Sequence, residues 1–217
     1  MPSTIHYVSV FNKEDTLIPQ SDLIDLKYAQ TKCPVHNHKQ SRTFVATSPI
    51  DFTLSIDRSN NKISCSRPEL LEYDDEHIQS PKPVIQLVFP KFLFYTEDDN
   101  IWFEFNDHPM TALNNNFIAI SGWFNLSNWS RTSSTAITLV NEKRCAIIKK
   151  GDPLFRVSFY PPNLDDSIIL KKETNTEVVN QWVEAHSKKS EEDWRPRLFS
   201  KTKLKVSAHL VFYLNEV

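Results

Sequence analysis

The sequence predicts an α+β domain dominated by antiparallel strands, a sandwich or distorted barrel with one C-terminal helix packed on it. Three observations lead there. Aromatic residues make up 12% of the 217 positions, and such side chains favour a pleated, half-buried surface. Apolar runs are short, and each ends at Asn, Asp, Gly or Pro, the rhythm of strands joined by turns. Only one stretch carries helical spacing. A single domain over 1–217 follows, with strands and loops in 1–82, a β core in 83–172, and a helix and closing strand in 173–217.

Thr4 to Phe11 alternates apolar and polar residues and reads as an opening strand. Ser21 can cap a short helical turn, and residues 31–40 form a polar loop. Arg42 to Ala46 reads as a short strand. Asp51 to Asp57 places Phe52, Leu54 and Ile56 on one face, Ser59 to Lys62 turns, and Lys62 to Ser66 pairs back. Pro68 to Lys82 is acidic and flanked by prolines, a surface excursion. Val84 to Tyr95 is nearly all apolar, as strands buried on both faces are, with a break at Pro90. Glu97 to Asn100 supplies a turn from which Ile101 to Phe105 returns. Phe117 to Phe124 resumes as a strand in which Gly122 marks a bulge or a close approach. Thr135 to Val140 and Cys145 to Lys149 read as a hairpin, Pro153 to Tyr160 and Ile168 to Leu170 as further strands. Val178, Val179, Trp182, Val183 and His186 form a helical stripe over 176–187, capped by Thr174 or Thr176. Lys203 to Leu214 alternates again as a closing strand.

Function is bounded mainly by exclusion. The chain has only two glycines, Gly122 and Gly151. Phosphate-cradling loops, dinucleotide fingerprints and nucleophile elbows need them clustered. No nucleotide cofactor is therefore expected. The formal net charge is -2, so no long-range basic field draws nucleic acid. Residues 1–10 lack a basic stretch followed by an apolar one, and no apolar run reaches the ~20 residues of a membrane helix. Cys33, Cys65 and Cys145 make an odd, widely spaced set that suits reduced thiols. The expected setting is cytoplasmic, without a membrane partner.

Two local groups carry chemistry. Cys33, His36 and His38 put a thiolate and two imidazoles within six residues, three corners of a Zn²⁺ or Fe²⁺ site to which His108 or Cys65 would add a fourth. The alternative is a polar loop with surface histidines. Trp123, Trp129 and Arg131 gather two indoles and a guanidinium that can stack on a sugar, a base or a peptide side chain. Asn106 and His108, on the loop 106–116, extend that candidate contact surface. The packing alternative makes Trp123 a core ring and Trp129 a rim ring covered by Arg131, and Trp102, flanked by Ile101 and Phe103, reads as packing rather than recognition. The acidic pairs at 74–75, 98–99 and 165–166 fall in turns, where carboxylates are solvated.

Two resemblances add to this. The stretch from Lys149 to Phe159, through Gly151-Asp152, resembles the closing hairpin of dUTPase-like β-clip proteins, whose glycine-rich motifs the chain lacks. The order of the Cys33-Pro34 loop, Ser48 to Phe52, Val84 to Tyr95, Asn100 to Trp102, Gly122 to Arg131 and Lys149 to Phe155 resembles an uncharacterised family from bacteria and tailed phages, cyanophages included. That resemblance implies a mostly β fold and a host cytoplasm or virion setting, and carries no site residue with it. The leading expectation is a non-catalytic binding or assembly module for a protein or small-molecule partner. The alternatives are a metal-dependent enzyme built on the Cys/His loop, and a virion or accessory component that works as a homo-oligomer.

Overall fold

Burial tracks the alternation of the sequence along most of the chain. The computed structural model describes residues 2–9, 15–20, 38–60, 62–72, 83–126, 132–133, 135–175 and 177–181. Within them lie β1 (Ser3–Ser9), β2 (Leu17–Pro19), β3 (Thr43–Thr47), β4 (Phe52–Asp57), β5 (Lys62–Cys65), β6 (Ile85–Leu87) and β7 (Phe92–Tyr95). Next come β8 (Trp102–Asn106), β9 (Phe117–Ala119), β10 (Gly122–Asn125), β11 (Thr135–Leu139), β12 (Ala146–Ile148), β13 (Pro153–Tyr160) and β14 (Ile168–Lys172). The chain is strand-dominated, and no sheet among the described residues closes into a barrel.

The strands form sheets in the orders β14-β1-β7, β10-β8-β13-β3-β2, β6-β11-β9 and β12-β4-β5. Pairing is antiparallel throughout, except that β14 runs parallel to β1 with Ser3 opposite Ile168. All four sheets feed one core, through Ile5 and Tyr7, Phe103 and Phe159, Leu87 and Ile137, and Leu54 and Ile148. Phenylalanine rings join the first sheet to the five-stranded one. The Phe94 centroid lies 5.4 Å from Phe159, 5.6 Å from Phe103 and 6.4 Å from Phe105. Edge and tilted ring contacts of this kind add to burial because positive ring edges meet negative faces.

Several expected elements hold. β4 and β5 form the predicted hairpin, in the register Asp57 opposite Lys62. The run from Val84 to Tyr95 divides at the cis Phe89–Pro90 bond, and all four residues of β7 are buried. Gly122 meets a close approach: a Cβ there would stand 2.6 Å from the Phe124 ring. Gly151 has φ of 90°, a conformation costly to any residue with a Cβ. In β13 a bulge between Pro153 and Phe155 lets consecutive residues Leu154 and Phe155 both reach the core.

Three expectations are corrected. The runs at 135–140 and 145–149 are not a hairpin, because β11 pairs with β6 and β9 while β12 pairs with β4. Nor does β8 return on β7: β7 pairs with β1, and β8 lies between β10 and β13. The strands flanking Gly151 likewise join different sheets, so the turn there closes no hairpin. In each case an acceptable turn carries the chain between layers. A fourth correction concerns 117–124, expected as one strand: β9 pairs with β11 and β10 with β8, in different sheets. A further difference is smaller. Pro68–Leu70 is a 3-10 turn whose Leu70 is buried, and Leu71 bridges to Leu87, so the excursion begins tied to β6.

The helix begins where expected with a different cap. The Asn175 side-chain oxygen accepts the Glu177 N–H at 3.0 Å, the N-cap role. Val179 is buried whereas Val178 is 38% exposed, so the stripe is narrower than the spacing suggests. Trp182, Val183, His186 and the closing strand at 203–214 lie outside the described residues.

The loop 106–116 is structural at its far end. Thr111–Asn115 makes one wide π-type turn, and Asn116 follows in the left-handed region at φ 62°. The Asn116 amide donates to the carbonyls of Asn141 and Arg144, each at 2.8 Å, while its oxygen accepts the Asn141 N–H at 2.9 Å. Asn116→Ala removes three hydrogen bonds and is expected to lower the unfolding free energy by about 3 kcal/mol, read by urea denaturation. Asn116→Gly, which relieves the backbone, should recover about 1 kcal/mol of that.

Candidate functional site on the outer sheet face

Antiparallel register decides which side chains share a face. In β8 the alternation W-F-E-F-N sends Phe103 and Phe105 to the core and leaves Trp102, Glu104 and Asn106 outside. Across β13, Trp102 stands opposite Tyr160, Glu104 opposite Ser158, and Asn106 opposite Arg156. Across β10, Trp102 faces Asn125 and Glu104 faces Trp123. The outer face of the five-stranded sheet therefore collects three aromatic rings and a set of polar groups.

The rings form one platform. Trp123 lies 4.8 Å from Tyr160 and 6.1 Å from Trp102 between centroids, tilted 31° to each. The Trp123 residue is 52% exposed, while Trp102 and Tyr160 are half-buried beside it. The reading of Trp123 as a core ring is overturned, while Trp102, read as a packing residue, packs on the outer face against Trp123. Both indoles sit on the solvent side, and the core is filled by their phenylalanine neighbours Phe103 and Phe124.

Two of the three donors at the ring edges are occupied. The Tyr160 hydroxyl donates to Glu104 Oε2 at 2.6 Å, and the Trp102 indole N–H donates to Asn100 Oδ1 at 3.1 Å. Burial, followed by the Glu104 hydrogen bond and charge, pushes the Tyr160 phenol up to about 12, so it stays protonated at neutral pH. The Arg156 Nε–H donates to the Asp107 carbonyl at 2.8 Å. Burial lowers the Arg156 value from the usual guanidinium range, and the charges of Asp107 and Glu104 oppose that. Lys39 Nζ reaches within 4.0 Å of Glu104 Oε2. Nearby, Arg42 donates to the Asp166 carbonyl at 3.0 Å and to His38 Nε2 at 2.8 Å.

Of the residues singled out from sequence, Trp123 and Asn106 belong to this face, and Trp129 and Arg131 lie outside the described residues. His108 is elsewhere in character. It is buried, its Nδ1 accepts the Met110 N–H at 3.3 Å, and its Nε2 has no hydrogen-bond partner. Cys33 and His36 lie outside the described residues. His38 Nε2 is engaged by Arg42, using the lone pair that a metal would require. Among the described residues no group of three or more His, Cys, Asp or Glu is placed to hold a metal ion.

Sequence reasoning missed Glu104, Tyr160 and Arg156. Alternation in β8 pointed to Glu104, but the pairing of β8 with a strand about fifty residues away has no local signal. Two recesses complete the surface. One of about 290 Å³ is lined by Phe105, Phe124 and Phe155, and another of about 570 Å³ by Ser48, Glu69 and Lys150. Neither is lined by an indole or a phenol, the rings that make the platform. No family model and no curated protein matches the chain, so the chemistry of the face carries the functional argument.

His108 makes acid sensitivity testable. Burial first, then the Arg156 charge, holds its imidazole below the ordinary value of 6.5, against the opposing pull of Asp107. Its folded value is depressed, so its contribution to stability is complete above 6.5 and is lost as pH falls through the lower folded value. Asp51, Asp57 and Glu173, depressed from 3.8, 3.8 and 4.5, act below that window. Urea midpoints measured between about pH 7.5 and about pH 5.5 should fall less in His108→Gln than in the parent.

Proposed function

We propose that the chain is a binding module whose contact surface is the Trp102–Trp123–Tyr160 platform. The observation that carries this is an indole 52% exposed on the edge strand of the five-stranded sheet, held by two further rings. Leaving so large an apolar surface in water forgoes a burial gain of about 1.5–3 kcal/mol. Binding a partner recovers it, and large aromatic side chains are the usual energetic anchors of recognition sites. The rings stand on strands, so little ordering cost remains when a ligand arrives.

Recognition suits the face better than proton transfer. The Tyr160 phenol is held protonated and its proton is directed at Glu104, and the charged groups stand among opposite charges. An assembly role, in which a second protein docks on the same rings, uses the same physics and the same residues.

The test uses the intact chain and a panel of soluble oligosaccharides, oligonucleotides and proline-rich peptides in titration calorimetry. At least one probe should bind, and Trp123→Ala should weaken it at least about tenfold, or about 1.4 kcal/mol, with unchanged circular dichroism. Binding that ignores the Trp123 substitution would place the contact surface elsewhere.

A further inference from the structure

We infer that the ligand of the platform is a neutral saccharide, a pyranose that lays its C–H face on the Trp123 indole. The inference rests on the reading of the platform as the contact surface, and three observations narrow the ligand class.

The first is which parts of the rings are free. The Trp102 N–H is taken by Asn100 and the Tyr160 O–H by Glu104, whereas the Trp123 ring is half in water. A proline-rich peptide in an aromatic groove depends on edge donors of this kind for its carbonyls. With two of them committed, the platform offers π-faces. These carry partial negative charge and suit the weakly positive C–H groups along one face of a sugar ring.

The second is local charge balance. Lys39 stands by Glu104, Arg42 is influenced by Asp165 and Asp166, and Arg156 by Asp107 and Glu104. Single-stranded nucleic acids also stack on aromatic rings, but they need a positively charged groove to follow the phosphates. This face has cations without a surplus, in a chain of net charge -2.

The third is the rim. Asn106 presents a side-chain amide, Asn125 adds one whose Nδ2 donates to Asn100 Oδ1 at 3.4 Å, and Glu104 and Arg156 add a carboxylate and a guanidinium. Planar groups with two acceptors, two donors or one of each match pairs of neighbouring hydroxyls, which both donate and accept. Glu104 and Arg156 are held by Tyr160 and the Asp107 carbonyl, so the rim is pre-oriented.

The experiment titrates the intact chain with cellohexaose, chitohexaose, xylohexaose and mannohexaose, alongside oligo-dT and deca-proline. One or more of the hexasaccharides should bind, with an affinity that changes less than about twofold between about 50 and about 500 mM NaCl, since no counterions are released. Trp123→Ala should weaken that binding at least tenfold, whereas Ile147→Ala, on an exposed site of β12, should leave it unchanged. Arg156→Lys, which keeps the charge and loses the planar fork, should weaken it several-fold. No hexasaccharide binding, or binding indifferent to Trp123→Ala, overturns the saccharide assignment. Trp123-dependent binding of oligo-dT or deca-proline alone also overturns it, while the platform itself survives. If every probe that binds ignores Trp123→Ala, both fail together.

Discussion

Phe94 against Phe103, Phe105 and Phe159 is the contact on which the remaining architecture depends. It presses the β1–β7 layer onto the five-stranded sheet and commits the inner face of β8 and β13 to phenylalanine. Because side chains alternate along a strand, that commitment also decides the outer face. Trp102, Glu104 and Asn106 have no other side to occupy, nor do Arg156 and Tyr160. Core packing and surface chemistry are thus two consequences of one register.

A glycine-poor chain must make its sharp turns by other means, and here asparagine does much of it. Asn100 and Asn116 adopt φ of 57° and 62°, with Gly151 at 90°. Asparagine tolerates the left-handed region better than most residues, and its amide can bond to nearby backbone. Asn116 uses that amide to tie the π-type turn to the segment after β11. Asn100 turns the chain into β8 and accepts the Trp102 N–H, so a turn residue also sets the edge of the platform. The adjacent Asn115 amide bonds the Ile147 carbonyl and Asp152, linking the same turn to β12 and the Gly151 turn.

The aromatic rings divide by what surrounds them. Phenylalanines, with no polar atom to satisfy, fill the interior, and Phe103 and Phe124 stack at 5.2 Å beneath the sheet. Tryptophan and tyrosine, each with one polar hydrogen, take the outer face, where Asn100 and Glu104 receive that hydrogen. In the first sheet Tyr7 and Tyr95 are instead buried. Their hydroxyls meet the Leu17 backbone N–H and the Glu173 carboxylate.

Local pattern was enough to establish most of the strands, the β4–β5 hairpin, the break near Pro90 and the start of the helix, but not β2 or the division of 117–124 into β9 and β10. Each rests on interactions between residues close in the chain: alternation, turn chemistry, capping. What the sequence alone left open was which strands pair. The turns after β7 and β11 are compatible with hairpins, yet core packing over long separations sends β8 and β12 to other sheets. The platform shares that origin. Trp123 reads as a core ring and Trp102 as a packing residue because their neighbours are apolar, and only the pairing of β8 with both β10 and β13 shows that those neighbours, and not the indoles, face inward. Tertiary structure decided the site because a strand's two faces are equivalent until a partner sheet covers one of them.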